Sequence, residues 1–82
     1  MEKNRLIWGS RRGMLELDLI LLPFVENIYP ALEREDQLSY QRLLACEDQD
    51  LYAWFTGRQD PEDVSLQRIV ERVRATTGYK KN

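Results

Sequence analysis

Met14-Leu15-Glu16-Leu17-Asp18-Leu19-Ile20-Leu21-Leu22-Pro23-Phe24-Val25-Glu26-Asn27-Ile28 is the longest apolar-periodic stretch of the chain. Leu17, Ile20, Leu21, Phe24, Val25 and Ile28 recur at three- and four-residue spacings, which on a helix puts them on one face. No segment alternates apolar and polar residues over a strand length, so the expected fold is all-α. Pro23 lies inside the stripe and has no N–H for the carbonyl of Leu19, which predicts a kink there. Tyr29-Pro30 closes the segment, because a residue before proline is pushed away from helical angles.

On the N-terminal side, a first helix is expected from about Asn4 to Arg11, with Leu6, Ile7 and Trp8 as inward candidates and Gly13 ending it or turning the chain. Past Pro30, a third helix is expected from about Leu32 to Cys46, with Leu32, Leu38 or Tyr40, Leu43 and Leu44 inward. Asp48 suits the N-cap of a fourth helix, Gln49 to about Thr56, in which Leu51, Trp54 and Phe55 share a face and Gly57 is the stop. Asp60-Pro61-Glu62-Asp63 has the pattern of a helix start: a capping aspartate, proline at the first position and acids in the first turn. The fifth helix then buries Leu66, Ile69, Val70 and Val73 and ends near Thr77-Gly78, leaving Tyr79 to Asn82 as a basic tail. Brief turns between five short helices predict a small five-helix bundle, one domain over residues 1–82 with an ordered core at about 4–77.

With 82 residues, 43% of them hydrophobic and 32% charged, the chain has the composition of a folded protein and is too short to enclose a large cavity. The net charge of -2 conceals a segregation: Lys3, Arg5, Arg11 and Arg12 lie near the N-terminus and five basic residues follow position 64, whereas residues 33–63 hold nine acids against Arg34, Arg42 and Arg58. Cys46 is the single cysteine and histidine is absent. An internal disulfide is therefore excluded, and the commonest metal ligand and general base are missing. No metal or cofactor site is expected. The longest apolar run, Leu19 to Val25, falls far short of the ~20 residues of a spanning helix, and no signal peptide is visible; the chain reads as cytoplasmic, without membrane insertion.

Catalysis is disfavoured by the inventory. No nucleophile has an evident base, and Gly9 and Gly13 lack the strand that precedes a phosphate-binding loop. Three acids among Glu47, Asp48 and Asp50 read as capping and solvated charge. Nucleic-acid binding is disfavoured by the acidic middle of the chain. The junction Arg11-Arg12-Gly13-Met14-Leu15-Glu16-Leu17-Asp18 is different, because it gathers charge around a glycine that could admit another protein's backbone. On one helix, arginine four residues before glutamate is the weaker orientation of an ion pair, worth only about 0.2–0.5 kcal/mol. A docking patch is the stronger explanation, with Trp8 as its aromatic anchor.

These residues resemble the SdhE family of FAD assembly factors, which assist covalent flavin attachment to succinate dehydrogenase. The RGxxE signature of that family is present as Arg12-Gly13-Met14-Leu15-Glu16, preceded by Trp8 and Arg11 and followed by Leu17-Asp18. A second similar block runs from Leu43-Leu44-Ala45-Cys46-Glu47-Asp48 through Gln49-Asp50-Leu51-Tyr52-Ala53-Trp54-Phe55. The resemblance covers about residues 4 to 75 and implies a non-enzymatic chaperone with a five-helix fold. It also implies that Trp8, Arg11, Arg12, Gly13, Glu16 and Asp18 bind the flavoprotein subunit of succinate dehydrogenase or fumarate reductase. An antitoxin-like or regulatory protein-binding module is the alternative, and a monomer the simplest state.

Overall fold

Leu17, Leu21 and Phe24 have no exposed surface, and the helix that bears them packs against three of the other four. That helix, α2 (Leu15–Asn27), follows α1 (Lys3–Ser10) and precedes a single 3₁₀ turn at Tyr29–Ala31, then α3 (Arg34–Leu43), α4 (Asp48–Phe55) and α5 (Val64–Thr77). The computed structural model describes residues 2–77; the tail expected at Tyr79 to Asn82 lies outside them. The five-helix, all-α architecture agrees with the periodicity.

One core forms where α2 meets α1, α4 and α5. It joins the inward face of α2 to Leu6, Tyr29, Leu32, Tyr40, Leu43, Leu51, Phe55, Ile69, Val70 and Val73. Between Leu38 and Tyr40, Tyr40 is the buried residue. Its ring stacks on Phe24 at 5.2 Å between centroids. Leu38 is exposed, and so is Trp8, an inward candidate of the first helix. α2 runs through Pro23 unbroken. Pro23 and Leu19 are both exposed, so the carbonyl that gains no N–H from proline lies on the side open to water.

Three helices differ from expectation at their ends. The third helix is shorter than Leu32 to Cys46. Leu32 and Glu33 are extended at its start. After Leu43 the chain tightens into turns, with the Ala45 and Cys46 N–H groups donating to the carbonyls of Arg42 and Leu43. Asp48 is the first residue of α4 rather than its cap; its carboxylate is turned to Arg12. The fifth helix starts at Val64, because Asp63 and not Asp60 supplies the cap: its Oδ1 accepts from the N–H groups of Ser65 (2.7 Å) and Leu66 (3.2 Å). Arg42 donates to the other oxygen of Asp63, and these bonds, Arg42 foremost, hold the Asp63 carboxyl below its ordinary range. Pro61 is buried before the helix, and its carbonyl accepts from Gln67.

Two polar groups in the interior are fully paired. Asp36 lies under α5, with Arg68 at 3.3 Å and Arg72 at 3.5 Å. Ser10 donates to the Leu6 carbonyl at 2.7 Å and so must accept from the Tyr40 hydroxyl, 2.6 Å away. Burial raises the Tyr40 phenol well above its ordinary pKa. The unfolded phenol ionises first, at about pH 10, so the contribution of Tyr40 to stability is constant below that pH and falls above it. Urea unfolding followed by circular dichroism should show this alkaline loss, and Tyr40→Phe should reduce it. Ser10→Ala alone strands the buried hydroxyl and should cost about 1–3 kcal/mol, less when combined with Tyr40→Phe.

Candidate functional site

Between α1 and α2 the chain turns through Arg11, Arg12, Gly13 and Met14, and the turn has two sides. The inner side belongs to Arg12. Its backbone N–H donates to Asp18 Oδ1 at 2.7 Å, tying the turn to the first turn of α2. Its Nε donates to Asp48 Oδ1 at 2.7 Å. Nη1 donates to the carbonyls of Gly9 (2.8 Å) and Leu44 (2.9 Å), and Nη2 to that of Cys46 (2.8 Å). Four of the five guanidinium donors are thereby engaged within the chain. The side chain is 16% exposed and that of Asp48 41%.

This arrangement is possible because helix ends leave carbonyls unpaired, and a planar cation with a fixed fork of donors satisfies several at once. Gly9 belongs to the last turn of α1, Leu44 and Cys46 to the turn that ends α3, and Asp48 to the start of α4. The approach is close: a Cβ on Gly9 would stand 3.2 Å from Leu44 Cδ1. The two sequence blocks noted above thus meet at one side chain, the arginine of the first bonded to three residues of the second. Arg12 and Glu16 do not share a helix, and the cation pairs with Asp48 instead of Glu16.

The outer side is open. Gly13 has φ +77°, a backbone conformation that favours glycine, and a Cβ built there meets nothing within 4 Å. Trp8 is 69% exposed, and the Arg11 guanidinium lies 5.6 Å from its ring centroid. That cation–π contact holds a rigid aromatic at the surface. Glu16 is exposed and Asp18 half-buried. Of the six candidate residues, Trp8, Arg11, Gly13 and Glu16 face outward, whereas Arg12 and Asp18 spend their polar groups holding the turn.

Beside the clamp, Arg12, Met14, Cys46, Glu47, Asp48, Gln49 and Tyr52 line an open groove of about 750 Å³. Burial and then the charge of Asp50 push the Cys46 thiol up, which keeps it protonated near neutral pH. Among the described residues, no group of three or more potential ligands could hold a metal ion, and no helix is long and apolar enough to cross a membrane. Gly9, Leu44, Cys46 and Asp48 are the site residues that sequence reasoning missed. Three of them act through backbone carbonyls, which leave no mark on residue identity.

Arg12→Ala would leave the Asp48 carboxylate and three carbonyls without their donor. It should destabilise the fold by about 2–4 kcal/mol in urea unfolding. Arg12→Lys should recover less than half, because one ammonium cannot span all four acceptors; a wild-type midpoint for the lysine variant would contradict the clamp.

Residues 4–77 match the family described as the flavinator of succinate dehydrogenase, Sdh5. The chain is 54% identical over 72 residues to the FAD assembly factor SdhE of Pseudomonas aeruginosa, covering 88% of this chain and 86% of that protein. It is 50% identical over 74 residues to the SdhE protein of Shewanella oneidensis, covering 90% of each. The SdhE protein of Colwellia psychrerythraea is 44% identical over 73 residues, 89% of this chain and 80% of that one.

Proposed function

The chain belongs to the Sdh5 family of succinate dehydrogenase flavinators, and from that premise we propose that it is an assembly factor promoting covalent attachment of FAD to the flavoprotein subunit of succinate dehydrogenase, and of fumarate reductase, by binding that subunit. The relatives' shared name, FAD assembly factor, supports the flavin chemistry. The observation that carries the binding reading is Gly13, held at positive φ with open space in front of it and Trp8, Arg11 and Glu16 exposed around the turn.

In this reading the protein supplies no reacting group. Trp8 and Arg11 form the aromatic anchor, Gly13 admits the partner's backbone, and Glu16 makes a charge-assisted hydrogen bond to it. Arg12 and Asp18 keep the turn in the shape that presents them. The factor holds the flavoprotein in an arrangement where the flavin and its acceptor side chain meet, so the rate gain comes from positioning. It acts as a cytoplasmic monomer without a metal or cofactor of its own.

Gly13→Arg tests this directly. The variant takes on some backbone strain, of the order of 1–2 kcal/mol, but has no internal neighbour to clash with. Gly13→Ala carries the same strain without the bulk. In-gel fluorescence of covalent flavin in the flavoprotein subunit should fall to the level seen without the factor for Gly13→Arg, and lie between that level and wild type for Gly13→Ala. Equal labelling with the factor present, absent or carrying Gly13→Arg would sink the proposal.

A further inference from the structure

Helix α2 is apolar on two sides. Leu17, Ile20, Leu21, Phe24 and Val25 face the core, yet Leu15 and Leu19 are 69% and 65% exposed. Leu15, Leu19 and Pro23 stand four residues apart and so form one outward stripe, with Leu22 half-buried at its side and Glu26 at its far end. Helix formation does not explain the leucines, since lysine, glutamine or glutamate at exposed positions propagates a helix about as well. Single exposed leucines are ordinary surface, but a stripe two turns long is a feature of interaction faces.

The stripe begins inside the signature itself. Of the two residues between Gly13 and Glu16, Met14 is half-buried against the core and Leu15 points out. From Leu15 to Pro23 the helix rises about 12 Å. A specific interface covers about 800 Å² on each partner, a patch roughly 30 Å across, so a protein seated on Gly13 and Glu16 also reaches Leu19 and Pro23. The stripe has no charged residue between its ends, as expected for the centre of an interface, whose charged groups sit at the rim.

We propose that the outer face of α2, Leu15, Leu19, Leu22 and Pro23, is the apolar centre of the contact with the flavoprotein subunit, and that Trp8, Arg11 and Glu16 form its edge. This rests on the binding role proposed above and extends it to residues outside the signature. The complementary face of the flavoprotein is apolar, with a cationic group in reach of Glu16.

Leu15→Glu and Leu19→Glu, with Leu19→Gln as an uncharged companion, are to be compared with Glu16→Arg and with Val64→Glu, an equally exposed apolar position on α5. The readouts are co-purification with the flavoprotein subunit, covalent flavin fluorescence and thermal melting of the free factor. The leucine variants should lose flavoprotein binding as Glu16→Arg does and keep the wild-type melt, with Val64→Glu unaffected. Loss of binding in Glu16→Arg but not in the leucine variants would overturn the stripe and leave the assembly role standing. Retained binding in all of them, Glu16→Arg included, would overturn both. A stripe variant that alters only self-association in sedimentation would also overturn the proposal, by assigning the face to a second copy of the chain.

Discussion

The guanidinium of Arg12 is the interaction on which the corner of this structure depends. Helix α1 is short and buries only Leu6 and Ser10, too little apolar surface to fix its own direction. Its last turn is instead held by two polar links, Gly9 to Arg12 and Ser10 to Tyr40. The same guanidinium takes the Leu44 and Cys46 carbonyls where α3 ends and the Asp48 carboxylate where α4 begins. Three chain segments thirty or more residues apart at their extremes are thereby fixed around one side chain. Because the site is only partly shielded from water, each bond is worth less than in a sealed interior, and their number compensates.

With the turn braced from behind, its front is free for recognition. Gly13 is kept at positive φ by the Arg12 N–H bond to Asp18 on one side and by the start of α2 on the other. Trp8 is kept at the surface by Arg11. A preformed patch of this kind would lose little conformational freedom on binding, which suits the positioning role proposed above. The division of labour within the signature follows: its arginine is structural, while its glycine and glutamate are available to a partner.

The helical period of the apolar residues made the all-α fold legible, and the inward face of α2 was readable residue by residue from Leu17 to Val25. The ends of helices were less so. Asp48 has the form of a capping residue, but a carboxylate facing a cation held by three carbonyls gains more there than at its own helix start. Asp60-Pro61 has the form of a helix start, but Asp63 has both Arg42 and two N–H groups as partners. The tertiary partner decided both, and it lies far away in sequence. The charged junction was recognisable as unusual, and its arginine and glutamate were four apart; that they belong to different sides of a turn needed the fold. The spacing left Leu15 and Leu19 off the inward face of α2, but residue type alone did not mark them as an exposed apolar stripe.

Backbone hydrogen exchange on the free factor and on its mixture with the flavoprotein subunit lacking flavin tests the central claim most directly. Met14 offers α2 no side-chain cap, so the N–H groups of Gly13 to Glu16 should exchange quickly in the free chain. Binding should slow them and leave residues 64–74 of α5 unchanged. Slowing confined to α4 or α5, with Gly13 to Glu16 exchanging as in the free protein, would contradict the account.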